Sequence, residues 1–112
     1  MAATGIFKNA IKTAVGNTWT QVYAAPSGKT SYIIQCDVAN IANSGVQISL
    51  RVRDNSASIY AFLVKNAPVP VGSSIQVIDG QKIVLESLDT LELICDTTGS
   101  TVDVVVSLIE DV

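Results

Sequence analysis

The sequence predicts an all-β domain, a two-sheet antiparallel β-sandwich, and three observations carry that prediction. The first is a strict period of two from Val46 to Arg53. Val46, Ile48, Leu50 and Val52 point one way, while Gln47, Ser49, Arg51 and Arg53 point the other, as a half-buried strand requires. The second is the recurrence of short apolar segments separated by turn residues, such as Pro26-Ser27-Gly28, Asp54-Asn55-Ser56 and Asp79-Gly80. The third is the pair Pro68 and Pro70, each lacking a ladder donor, which marks an edge or a crossing between two sheets rather than the middle of one. Eight strands suit a jelly roll and seven an immunoglobulin-like arrangement. The expectation is jelly-roll-like, with the immunoglobulin-like topology as the alternative.

Residues 1–18 show no decisive pattern and are expected to form an N-terminal arm, with 19–112 as the sandwich domain. Ile6, Phe7, Ala10, Ile11 and Ala14 fit one short helical face, yet a helix that short is marginal without a tertiary partner. An extended arm anchored by Phe7 and Ile11 is the preferred reading. Trp19 to Ala24 reads as a strand closed by Pro26-Ser27-Gly28. In Tyr32–Ile41, Ile34, Cys36 and Val38 alternate with Gln35 and Asp37, and Ala42-Asn43-Ser44-Gly45 then tolerates positive φ. This segment and Val46–Arg53 are therefore expected to pair as a hairpin at the centre of the domain.

Ile59 to Lys65 is apolar on both sides, with Tyr60, Phe62 and Val64 on one and Ile59, Ala61 and Leu63 on the other. A strand apolar on both sides is covered on both sides, one of them by a second sheet, so the other is a candidate subunit contact. Four short strands follow, Ser74–Ile78, Lys82–Glu86, Leu91–Asp96 and Val102–Ile109.

At 112 residues the chain is one domain, large enough for a core without metal or disulfide staples. Only 15% of residues are charged, against roughly 25% for an average soluble domain, while 48% are apolar. That surplus of apolar surface points to subunit contacts and a homo-oligomer. The charge is uneven: Lys8 and Lys12 stand alone among residues 1–18, and the acids all fall later. An acidic body repels phosphate backbones, so direct nucleic-acid binding is not expected. No run of eighteen apolar residues is present to span a membrane, and the first ten residues lack the apolar region of a secretory signal.

The residues needed for catalysis are largely missing. There is no histidine, which removes Ser-His-Asp and Cys-His activation and the histidine-containing metal sites. No cofactor is expected. Gly28-Lys29-Thr30 imitates the end of a phosphate-binding loop, but Tyr23 stands where that motif needs a glycine. Glu86 with Asp89, or Glu92 with Asp96, are carboxylate pairs of the type glycoside hydrolysis uses, and a solvated strand face explains them equally well. Cys36 and Cys95 fall on inward strand positions, where buried free thiols are expected rather than a bridge. An immunoglobulin disulfide would want a Trp between them and a Tyr two before the second, where Leu93 stands.

Several strings resemble small β-sandwich virion structural proteins of tailed bacteriophages. They are F-K-N-A near the start, V-Y-A-A-P-S-G-K-T-S, L-V-K-N-A-P-V-P-V-G-S-S, I-V-L-E-S-L-D-T-L and V-D-V-V-V-S-L-I-E, together spanning most of residues 7–110. S-L-D departs from that likeness, since a glycine-containing turn would be more usual there. The resemblance is to capsid cement or decoration subunits, and to head fibres and tail adaptors. It implies a virion protein with no catalysis, assembled in the host cytoplasm, whose partner is the major capsid protein or another virion protein. The expected unit on the shell is an oligomer, a trimer for preference. Its contacts are expected at Phe7, Lys8, Ile11 and Lys12 of the arm and at Ile59, Tyr60, Phe62 and Leu63, with strand addition at sheet edges as a further source of stability. A carbohydrate- or receptor-binding module is the alternative, resting on exposed Tyr23, Tyr32, Tyr60 or Trp19.

Overall fold

A computed structural model describes residues 5–110, with the backbone alone described at Gly80 and Gln81. Eight strands follow one another: β1 (Ile6–Val15), β2 (Thr20–Ala24), β3 (Ser31–Asn40), β4 (Val46–Asp54), β5 (Ile59–Val69), β6 (Ser74–Leu85), β7 (Thr90–Cys95) and β8 (Val102–Glu110). They form two four-stranded antiparallel sheets in the orders β1-β8-β3-β6 and β2-β7-β4-β5. Every connection crosses from one sheet to the other except β4–β5, which is a hairpin. This is jelly-roll connectivity, not the immunoglobulin-like alternative.

The core lies between the sheets and follows from the period of two. Ile33, Cys36 and Val38 of β3 and Val104, Val106 and Leu108 of β8 face Ile48 and Leu50 of β4 and Leu91, Leu93 and Cys95 of β7, all essentially sealed from solvent. Each large aliphatic side chain so buried contributes about 1.5–3 kcal/mol, ample for a domain of this size. Two tight turns use the same device. Lys29 N donates to Pro26 O at 3.1 Å and Ser73 N to Pro70 O at 3.2 Å, with Gly28 and Gly72 at φ 76° and 73° in the third position. A positive φ at that position defines a type II turn and favours glycine.

The expected hairpin between the Tyr32 and Val46 segments does not form: β3 and β4 lie in different sheets and face each other across the core. Asn40 shows why. Its side-chain amide donates to Ser44 O and to Val69 O of β5, both at 2.9 Å, and its oxygen accepts from Ala42 N at 2.7 Å. Meanwhile Asn40 N and Ile41 N donate to Ser73 O and Thr101 O, so the link is tied to other loops rather than folded on itself.

Residues 5–18 do not stand apart from the sandwich as an arm. Ile6–Val15 is an edge strand, paired with β8 from Ile6↔Glu110 to Val15↔Val102; residues 1–4 lie outside the described part. Nearly every side chain of β1 is exposed, so its sequence carries no burial rhythm, and backbone pairing alone gives it its place.

Ser74–Ile78 and Lys82–Glu86 are one strand, β6, because Asp79-Gly80 makes an irregular stretch opposite Ile34 instead of a turn. The same irregularity moves Ile34 out of the inward set, and Ile33 takes that place in the core. In β5, a register shift opposite Leu50 and Arg51 turns both Leu63 and Val64 toward the core.

Candidate interaction faces

The outer face of the first sheet carries an apolar row running across all four strands. Phe7 pairs with Ile109, Ile109 with Tyr32, and Tyr32 with Val84. Directly opposed residues share a face, so these four side chains stand side by side on the outer surface, with Ile109 and Tyr32 half-buried between Phe7 and Val84. Phe7 is 78% exposed and Val84 51%. The next row, Asn9, Ser107, Gln35 and Asp79, is polar, and the one after it places Ile11 and Val105 beside Asp37 and Gln76. A shallow groove runs between Phe7, Lys8, Asn9, Ile34, Ser107 and Leu108.

Carboxylates hold the middle of this face. Asp37 Oδ2 accepts from Gln35 Nε2 at 3.0 Å, but its Oδ1 is buried and has no hydrogen-bond partner. Asp103 Oδ1 accepts from Ala14 N at 2.9 Å and so holds Ala14 in its left-handed conformation, φ 58°. Neither these two nor Asp79 is ion-paired among the described residues.

The outer face of the second sheet is aromatic and cationic. The Arg51 guanidinium lies 3.7 Å from the centroid of Trp19 and 3.9 Å from that of Tyr60, held between the two rings. Its Nε donates to Glu92 Oε1 at 2.7 Å. Phe62 sits against Trp19 at 5.9 Å, and Lys65 Nζ lies over the Phe62 ring at 5.4 Å. Arg53, paired opposite Tyr60, donates to Asn55 Oδ1 at 2.8 Å. Phe62 and Tyr60 remain 46% and 50% exposed.

The eight residues expected to make contacts therefore divide between opposite sides of the sandwich. Phe7 and Ile11 belong to the first face. Lys8 and Lys12 leave the other side of β1, toward the opening between the sheets, and Lys8 Nζ bonds Glu110 Oε1 at 3.2 Å. Tyr60 and Phe62 belong to the second face, Ile59 is exposed beside the β4–β5 turn, and Leu63 is partly buried against the core. Sequence reasoning missed Val84, Val105 and Ile109, and gave Tyr32 only to the sugar-binding alternative. For Val105 and Ile109 a signal existed: in V-D-V-V-V-S-L-I-E both occupy the polar phase of the alternation, where an apolar residue has no core to enter.

Three of the four carboxylates considered for catalysis, Asp89, Glu92 and Asp96, have structural duties. Buried Asp89 accepts from Asn55 N at 2.9 Å and from Glu86 N at 3.0 Å, joining the β4–β5 turn to the β6–β7 loop. Glu92 is held by Arg51, and Asp96 Oδ1 accepts from Gln47 N at 3.0 Å. Surroundings push Asp54, Asp96 and Glu110 below the usual carboxylate range, through hydrogen bonds led by the Ser56 hydroxyl, the Gln47 amide and the Tyr23 phenol respectively. A general acid needs the opposite shift. Among the described residues no three Asp, Glu or Cys side chains gather into a metal-binding group.

The fold has solved counterparts. The chain is similar to a protein of Bacillus endospore appendages, described as a novel family of disulfide-linked pili, at 15% identity and a TM-score of 0.55, covering 99% of this chain and 90% of that one. It is also similar to a chain from the structure of infectious bursal disease virus Gt strain, at 12% identity and a TM-score of 0.51, covering 97% of this chain and 31% of that one. Likenesses at this identity concern the fold. The sequence matches no family model and no curated protein. Cys36 and Cys95 of this chain are free and buried, and burial followed by the Asp37 charge pushes the Cys36 thiol up to about 12. Neither thiol is placed to link subunits.

Proposed function

We propose that this chain is a non-enzymatic structural subunit of a virion, a capsid cement or decoration protein that stabilises the head through contacts with its own copies and with the major capsid protein. The apolar row Phe7–Ile109–Tyr32–Val84 carries the reading, because it spends large side chains on a solvent-facing sheet where they add nothing to the core. Support comes from the aromatic face on the opposite side, from carboxylates engaged in turns and ion pairs, and from the resemblance to phage virion proteins. A jelly roll by itself hosts many functions, so the argument rests on these surfaces.

A sugar-binding module fits less well: Arg51 covers one face of both Trp19 and Tyr60, the faces on which a sugar ring would stack. The test is occupancy on purified particles. The labelled wild-type chain should decorate particles in negative-stain images, and Phe7→Glu should reduce its occupancy at least tenfold while leaving the melting temperature within a few degrees. Equal occupancy of the two proteins would remove the first face from the contact.

A further inference from the structure

The two outer faces differ in sign as well as in position. The first presents Asp37, Asp79 and Asp103, with Lys82 the one cation in the adjoining stretch of β6. The second presents Arg51, Arg53 and Lys65 around Glu92, with Asp96 just past the end of β7, so bases outnumber acids there. Each sets its charges among exposed apolar groups: Phe7, Ile11, Val84 and Val105 on one side, Tyr60 and Phe62 beside the half-buried Trp19 on the other. Like face against like face would bring carboxylate onto carboxylate, or guanidinium onto guanidinium. Unlike faces match apolar to apolar and acid to base.

The edges of the sheets offer no comparable route. β2 is short and bulged, β5 carries Pro68 and the left-handed Asn66, and β6 is interrupted after Asp79. β1 carries Lys8 and Lys12 toward the opening between the sheets and a bulge before Val15. These are devices by which natural sheets discourage edge pairing.

We infer that the acidic face of one copy, built on β1-β8-β3-β6, docks on the aromatic–arginine face of a second copy, built on β2-β7-β4-β5. The contact is heterologous: each subunit uses a different surface at its two ends, so repetition closes a ring, of which a trimer is one case, or extends a filament. Arg53 and Lys65 of one copy face Asp79 and Asp37 of the next, and the Phe7 row covers Tyr60 and Phe62. Trp, Tyr and Arg are the residues that most often dominate such contacts. The inference deepens the self-association part of the proposed function and rests on it.

Complementation in solution tests it. Phe7→Glu, with Val84→Glu as a second version, spoils the first face; Arg53→Glu, with Phe62→Glu as a second version, spoils the other. All four sites are surface positions, and thermal melts identify any variant that fails to fold. By sedimentation at 100 µM and low salt, the wild type should be larger than a dimer and each variant alone should be monomeric. A mixture of one variant from each face should give a one-to-one dimer that grows no further, since each partner retains the face the other has lost. High salt should weaken that dimer about tenfold or more. If either variant alone forms dimers, the contact joins like faces and the inference fails. It fails equally if mixing restores nothing, or if the wild type is monomeric. A monomeric wild type that still decorates particles would overturn head-to-tail docking while leaving the shell role standing.

Discussion

Arg51 links more of the surface than any other residue. Its guanidinium is stacked on two rings and bonded to a carboxylate that is itself only 17% exposed. Cation–π contacts contribute about 0.5–1 kcal/mol each at partly exposed sites, and leaving Glu92 without its partner adds to the loss. Arg51→Ala should therefore lower stability by about 2 kcal/mol in urea titration. Arg51→Lys should recover less than half, because an ammonium cannot lie flat between two rings. Trp19 is the single tryptophan, so its emission should shift to the red in both variants even where folding is intact. The alternation of Val46–Arg53 already placed Arg51 outward; its ring partners could not be read, because Trp19 and Tyr60 reach it from other strands. Which face a residue occupies is local information, whereas its neighbours depend on strand order.

At the scale of the element, β1 is fastened in two places. At one end Tyr23 Oη donates to Glu110 Oε2 at 2.6 Å and meets Ser31 Oγ at 2.7 Å, while Lys8 holds the other carboxylate oxygen, so four strands meet at one latch. Burial, then the bond to Glu110, pushes the Tyr23 phenol up to about 12 from 10.0. Its contribution is thus complete below about pH 10 and lost as pH rises through about 12. Glu110, held low by the same phenol, contributes above the usual carboxylate range and loses that contribution as pH falls through its lowered value. Tyr23→Phe should cost about 1–2 kcal/mol at neutral pH. It should also abolish the late phenolate absorbance step expected of the wild type as the raised Tyr23 phenol ionises near pH 12.

At the other end of β1, Gly16 O accepts from Cys95 N at 2.9 Å, and a Cβ on Gly16 would lie 2.5 Å from Gly99 O. Gly16→Ala should cost about 1–3 kcal/mol, read as a lower urea midpoint with an unchanged slope. Because β1 shields one side of β8, deleting residues 1–14 would destabilise the sandwich itself, so point substitutions at Phe7 are the cleaner probe of contact. Strand positions from Val46 onward were mostly legible from alternation. β1 was not, since a strand exposed on nearly every position shows none. The continuity of β6 was hidden because Asp79-Gly80 has the composition of a turn and serves as a bulge.

For the whole molecule, the apolar surplus over charge was the legible fact, and its division into two faces of unlike sign was not. Strand order decides which residues become neighbours, and no local pattern in this chain encodes it: β3 and β4 had every feature of a hairpin, yet they lie in different sheets, with Asn40 tying their link to β5. Because a single connection stays within its sheet, almost no pairing can form between neighbouring segments before distant ones have met. Topologies of this kind refold in milliseconds to seconds, and stopped-flow tryptophan fluorescence should show one exponential phase in that range. During synthesis, at roughly 5–20 residues per second, β1 must wait unpaired for β8, and β3 has only β6 beside it until that strand arrives between them. The first face is therefore the last to be built, and it can dock only after translation has passed Glu110.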